Sequence, residues 1–317
     1  MSPTREPALA GQTVVVIGGS AGIGLETARQ ARDEGAAVVL AGRNPDRLKD
    51  AADQVGAKST ATFDANDTSA LEEFFGQLDG PIDHVMVTAG GPYYASLAEM
   101  DFDEARRALQ EHPMLMAGVA RYASPKVRPG GALLFMGGTG GRNPRLGIGV
   151  TSAMTVALPA LTASLAIEIA PVRINLIAAG FVDTPLSASL LGDQLDERRA
   201  ELRSTLPIGR VVEAADVAAL AIHLMTNTAL TGANLRHRRR SATRLLVSPA
   251  GDLAFLRPLG TKAGAEVRPR SAKLLARADS ELAEHLAQVP LDRTRADEQL
   301  GLDLQIRPDC GEHHEAS

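Results

Sequence analysis

From Gln12 to about Gly232 the chain alternates short apolar runs with longer stretches of helical spacing, and this limits the fold more than any other feature. Residues 13–18 (TVVVIG) form a continuous apolar run, as expected of a strand buried on both faces of a parallel sheet. Residues 37–41 (AVVLA) repeat that pattern, and 61–64, 85–88, 132–136 and 173–178 supply further strands. Helices are predicted over 25–34, 45–55, 69–78, 102–123, 152–169 and 214–225, with Pro45 in a first turn where its missing N–H costs nothing. Parallel neighbours need crossover helices, so this order predicts a Rossmann-type, doubly wound α/β sheet in a single domain.

Composition narrows the class. The 317 residues carry a net charge of −5, seven histidines and one cysteine, Cys310. No intrachain disulfide can form, and His84, His112 and His223 show no ligand spacing, so no metal is expected. Without an unbroken run of eighteen apolar residues or an apolar leader over residues 1–7, the expectation is a cytoplasmic protein that neither crosses a membrane nor is secreted. Charge also breaks along the chain. Residues 1–234 hold 19 basic against 26 acidic residues, whereas 235–317 hold 14 against 12 and take 12 of the 28 arginines. Three parts follow: an N-terminal tail over 1–8, a nucleotide-binding domain over 9–234 and an extension over 235–317.

The first strand runs into Gly18-Gly19-Ser20-Ala21-Gly22-Ile23-Gly24. Glycines there allow a tight turn, let backbone approach a pyrophosphate, and bring a helix N-terminus to face it. This Gly-x-x-x-Gly-Ile-Gly spacing resembles the short-chain dehydrogenase/reductase family. The resemblance spans about residues 9–234 and includes Asp64-Ala65, Thr88-Ala89-Gly90 in place of the family's Asn-Ala-Gly, and Val172-Arg173-Ile174-Asn175. Ala179-Gly180-Phe181-Val182-Asp183-Thr184-Pro185 is similar to its Pro-Gly-x-x-x-Thr-Pro, and Pro207-Ile208-Gly209-Arg210, Asp216-Val217-Ala218 and Leu230-Thr231-Gly232 to its closing segment. The resemblance implies an NAD(P)-dependent oxidoreductase acting on a small-molecule carbonyl or alcohol, with Gly18, Ser20, Gly22, Ile23, Gly24, Asp64, Ala89, Gly90 and Thr184 at the cofactor. NAD-using relatives place an acid after the second strand for the ribose hydroxyls, and a 2′-phosphate needs a cation there instead. Ala41-Gly42-Arg43-Asn44 has an arginine and no acid, so NADP(H) is expected rather than NAD, with Arg43 and Ser20 on the phosphate. Many relatives are dimers or tetramers, which implies a homo-oligomer packed through the helices over 102–123 and 152–169.

The family's proton-transfer residues are missing from the helix where alignment places them. The family uses a Tyr-x-x-x-Lys pair, a Ser about thirteen residues earlier and an Asn on the fourth helix. Alignment places Thr151 at the Tyr position, Thr155 at the Lys position, Gly138 with Thr139 beside it at the Ser position, and His112 at the Asn position. His112, Tyr94, Thr139 and Thr151 are the candidate catalytic residues. Tyr93 and Tyr94 follow the fourth strand, where ligands of open α/β sheets bind. The alternative is a cofactor-binding regulatory or structural protein without hydride transfer.

After Thr231-Gly232 the family's last strand and Asp-Gly-Gly turn are replaced by Asn234-Leu235-Arg236-His237-Arg238-Arg239-Arg240-Ser241-Ala242-Thr243-Arg244. With the reading frame moved one nucleotide onward, suitable wobble bases turn these codons into Thr-Tyr-Asp-Ile-Asp-Gly-Gly-Gln-Gln-Leu-Val, which resembles the missing ending throughout. The extension is therefore expected to be out of frame, and the sheet to lose its last edge strand. Read as a basic arm, 236–240 would meet phosphate, but the acidic body and lack of interleaved aromatics argue against nucleic acid.

Overall fold

The computed structural model describes residues 6–142 and 145–236. The extension beyond Arg236 lies outside the described residues, as do Asn143 and Pro144. Seven parallel strands, β1 (Thr13–Ile17), β2 (Ala37–Gly42), β3 (Ser59–Thr62), β4 (Ile82–Val87), β5 (Val127–Gly138), β6 (Arg173–Ala179) and β7 (Asn234–Arg236), form one sheet in the order β3-β2-β1-β4-β5-β6-β7. The connections are α1 (Gly22–Asp33), α2 (Pro45–Val55), α3 (Thr68–Gln77), α4 (Phe102–Ala123), α5 (Gly149–Glu168), the pair α6 (Pro185–Leu191) and α7 (Leu195–Thr205), and α8 (Ala214–Thr226).

Alternate side chains of the central strands feed two cores. Val15 and Ile17 of β1 pack on the side of α3, α4 and α5 with Phe75, Val119 and Leu158. Val14 and Val16 pack on the side of α1, α2 and α8 with Ala28, Leu48 and Val217. A strand with apolar residues at every position is the necessary consequence.

Most elements match the expected ones to within a few residues, and both α2 and α4 end where expected, although Pro113 lies inside α4. The α6–α7 excursion was not expected, because Pro185, Gly192 and the charged run of α7 break up any apolar period. Its geometry is fixed by caps and charge. Thr184 and Ser187 form a capping box at the head of α6, and Arg199 of α7 grips Asp183 through two 2.8 Å hydrogen bonds.

One further expectation changes. A last edge strand is present but is a stub: β7 has three residues beside the seven of β6. Asn175 explains why it starts, accepting from the Ala233 N–H at 3.1 Å and donating to the Leu230 carbonyl at 2.9 Å. Arg173 is buried beneath and donates to the Leu224 and Met225 carbonyls at 2.8 Å, tying down the negative end of α8. The twenty residues of α5 are long and apolar enough by length and composition to cross a bilayer, a test that the core helix of a globular domain also passes. Threonines and serines interrupt its apolar run in the sequence while leaving its average apolar. Thr162 shows how such a residue is accommodated, returning its hydroxyl to the Leu158 carbonyl at 2.8 Å.

Candidate active site

Strand order reverses between β1 and β4, so the crevice for a ligand opens at their carboxyl ends, at Gly18 and Thr88. Gly18 has φ +90°, and a Cβ on it would lie 2.6 Å from the Thr88 hydroxyl oxygen. A Cβ on Gly24 would lie 2.3 Å from the Gly18 carbonyl oxygen. Close approach of helix to strand thus excludes any side chain at either position. The Thr88 hydroxyl secures the turn, donating to the carbonyls of Gly18 at 3.1 Å and Ile17 at 3.3 Å. This is what a hydroxyl can do at a position where the family carries an amide, and sequence reading assigned Thr88 no role.

The head of α1 carries no side-chain cap and no acid in its first turn, so its N-terminal N–H groups and positive end are directed at the crevice without competition. Ile23 packs into the α1 side core, and Gly22 lies 3.4 Å, measured from an added Cβ, from the Thr184 Cβ. Ser20 stands beside Gly42 at the end of β2. Arg43, next along, is exposed and pairs with no carboxylate among the described residues. Asp64 is exposed and caps its own turn by accepting from the Asn66 N–H at 3.0 Å, while Ala89 and Gly90 continue from Thr88 along the crevice wall. The residues present fit a dinucleotide: N–H groups for the pyrophosphate, an unpaired cation and a hydroxyl where a 2′-phosphate would lie.

The reaction end is built differently. Thr151, at the head of α5, accepts from the Tyr93 N–H at 3.1 Å and donates to the Tyr93 carbonyl at 2.6 Å. Thr155, one turn on, accepts from the Gly141 N–H at 2.9 Å and donates to the Ser152 carbonyl at 3.0 Å, with its methyl against Gly138. Both hydroxyls are spent on holding loops. Tyr93 is spent too, its phenol donating to the Asp101 carbonyl at 3.2 Å and accepting from the Asp101 N–H at 3.0 Å.

Other groups are left with protons or lone pairs to offer. Thr139 lies at the end of β5 facing Gly180, with no partner for its hydroxyl among the described residues. Ser152 has a buried hydroxyl without a partner beside Gly140 and was not singled out from the sequence. His112 donates Nε2–H to the Met136 carbonyl at 2.7 Å, which leaves Nδ1 turned to Gly90. Burial holds its pKa below the usual histidine value, against the opposing effect of that carbonyl, so the ring is neutral at pH 7 with its single proton engaged. Tyr94 is 54% exposed, and burial of the remainder raises its pKa while the charge of Arg145 pulls it down. No group of three or more metal-ligating side chains occurs among the described residues.

Comparison with known proteins follows the same outline. Residues 18–237 match the family profile described as enoyl-(acyl carrier protein) reductase. A short-chain dehydrogenase/reductase of Stachybotrys chlorohalonatus is 30% identical over 246 residues, covering 71% of this chain and 95% of that protein. The NADP-dependent (R)-specific alcohol dehydrogenase of Lentilactobacillus kefiri is 28% identical over 232 residues, covering 69% and 91%. A crystal structure of a small-chain dehydrogenase in complex with NADPH superposes with TM-score 0.62 at 27% identity, covering 71% of this chain and 96% of that one. With this sheet, this crevice and these matches, the chain belongs to the short-chain dehydrogenase/reductase family. Within it, the protein is an NAD(P)-dependent oxidoreductase.

Proposed function

We propose that this protein reduces a carbonyl to an alcohol with NADPH, or runs the reverse, using a proton donor displaced from the family position to Tyr94. The observation that carries the reading is the spent pair Thr151 and Thr155, since neither hydroxyl is free and neither has a pKa suited to proton transfer. Bound in the crevice, NADPH would supply hydride for the carbonyl carbon, and the carbonyl oxygen would take a proton to complete the alcohol. Tyr94 holds that proton at its phenol, with the Arg145 charge nearby to stabilise the phenolate left behind. Thr139 orients the carbonyl with its free hydroxyl, and Thr151 positions Tyr94 by fixing the backbone of its neighbour Tyr93. His112 serves as a positioning residue in reduction, because its one proton is held by Met136. At the other end the N–H groups of Gly22, Ile23 and Gly24 would hold the pyrophosphate, Arg43 and Ser20 the 2′-phosphate, Asp64, Ala89 and Gly90 the adenosine side, and Thr184 the carboxamide. NADPH consumption with a panel of carbonyls tests this. Loss of turnover in Tyr94→Phe with NADPH affinity retained supports it, and tight NADPH binding with no turnover by the wild type favours a regulatory or structural role instead.

The same proposal covers the assembly and the C-terminus. A dimer or tetramer formed through α4 and α5 is supported by their exposed apolar residues, Met114 at 63%, Val156 at 62% and Ile167 at 82%. Cytoplasmic placement accords with the use of NADP(H); Cys310 does not bear on it, because it falls in the segment read as out of frame. Translation of residues 235–317 out of frame is supported by the family match, which ends at residue 237. It is also supported by Asn234, whose side-chain oxygen is buried without a partner at the start of β7. The divisions at residues 8 and 234 belong to this reading. The wobble bases of codons 234–244 decide it: codons unable to spell Thr-Tyr-Asp-Ile-Asp-Gly-Gly-Gln-Gln-Leu-Val overturn it.

A further inference from the structure

Three loops at the carboxyl edge of β4, β5 and β6 frame the reaction end, and each carries large apolar side chains out to the surface. Tyr94 and Leu97 follow β4 at 54% and 81% exposure, Leu146 follows β5 at 99%, and Leu186 and Leu190 stand on α6 at 49% and 44%. Scattered exposed apolar residues are ordinary, but a group sharing one rim marks a surface that meets something. The loops are tied together. Ala95 donates its N–H to the Gly147 carbonyl at 2.9 Å, and Thr151 clamps Tyr93 from the head of α5.

The same rim carries uncompensated positive charge. Arg142 and Arg145 are exposed in the β5–α5 loop, and neither pairs with a carboxylate among the described residues. On the same loops Asp183 is gripped by Arg199, and Glu99 accepts from the Ser96 hydroxyl at 2.7 Å. The head of α5, directly after this loop, has no side-chain cap and no acid in its first turn, which adds the positive end of a twenty-residue helix.

Resting on the carbonyl-reductase reading above, we propose that the substrate is amphipathic, a hydrophobic carbonyl compound with a carboxylate. Arg142 and Arg145 hold the carboxylate, and Tyr94, Leu97, Leu186 and Leu190 cover the hydrophobic body. Planar guanidinium groups suit a carboxylate, and the apolar rim rejects small keto acids that lack a body to bury.

The test compares β-benzoylpropionate with its methyl ester in NADPH oxidation by the full chain. The acid is expected to exceed the ester by about tenfold in kcat/KM, through KM. Arg142→Gln with Arg145→Gln erases the ratio, and the double Lys variant, which keeps both charges but loses the planar forks, keeps the acid ahead of the ester by a smaller factor. Equal reduction of acid and ester, or a preference that survives the double Gln change, overturns the proposal. If neither compound is reduced, the reductase reading fails and the anion site is judged separately, by calorimetry of hydrocinnamate and hydrocinnamamide on the NADP+-loaded protein. Tighter binding of the acid, lost in the double Gln variant, upholds the site, and equal binding overturns it.

Discussion

The two ends of the crevice are made from the same materials, glycines and threonine hydroxyls, and use them for opposite purposes. At the cofactor end one hydroxyl, Thr88, closes the glycine turn through carbonyl oxygens and leaves the helix N–H groups free for a ligand. At the reaction end Thr151 and Thr155 close loops through both N–H and carbonyl groups, leaving no titratable side chain at the positions they occupy. The lesson is that a hydroxyl in an active-site position can be wholly structural. The chemistry must then move to side chains on the loops so held.

The comparison can be broken most forcefully at its glycines. Gly24→Ala places a Cβ 2.3 Å from the Gly18 carbonyl oxygen, which backbone cannot accommodate without moving. A stability loss of about 3 kcal/mol in chemical denaturation and loss of NADPH binding by fluorescence titration are expected. A variant that binds NADPH normally would mean that the turn is not the cofactor cradle.

The amino-terminal half of the central strand β4 supplies a control of similar size. His84 is buried with Nδ1 unpartnered and Nε2 2.8 Å from the Gln12 amide oxygen. Burial, aided by the Arg173 charge and opposed by that of Asp83, lowers its pKa to about 4. The unfolded imidazole takes up its proton near the ordinary 6.5, so stability is full above that pH and declines as the pH falls from 6.5 towards 4. About 3 kcal/mol is at stake. His84→Leu should flatten the pH profile of the denaturation midpoint over this window without altering NADPH affinity, and a profile unchanged by the substitution would count against the assignment.

At the reaction end, Thr151→Val keeps the shape and removes the hydroxyl that holds Tyr93. A stability loss of about 1–2 kcal/mol and a lower kcat with unchanged NADPH affinity are expected, from thermal denaturation and steady-state kinetics. If affinity for NADPH falls instead, the two ends are not independent. The smallest change belongs to the cofactor's phosphate. Arg43→Ala should weaken NADPH binding about tenfold and NADH binding little, in parallel titrations. Equal weakening of both would remove Arg43 from the 2′-phosphate.

The cofactor end was legible in the sequence because its requirements are backbone requirements. Gly18, Gly22 and Gly24 follow an apolar run and open a helix, and only glycine meets those positions. The reaction end was legible as a loss. The absence of Tyr and Lys can be read from alignment, but the partners of Thr151 and Thr155 lie on other loops and leave no periodic trace. The α6–α7 excursion was hidden for a related reason: it is held by Asp183 with Arg199 and by a capping box rather than by an apolar stripe. The stub β7 shows the reverse case. Asn175 starts the strand from within the sheet whatever follows, so a segment expected to be lost retains three residues of pairing.

The most direct test of the displaced proton donor is the rate of NADPH oxidation, with a carbonyl that the wild type reduces, in Tyr94→Phe beside wild type. A fall in kcat of about a hundredfold with NADPH affinity intact is the predicted result. Wild-type turnover in Tyr94→Phe would contradict it.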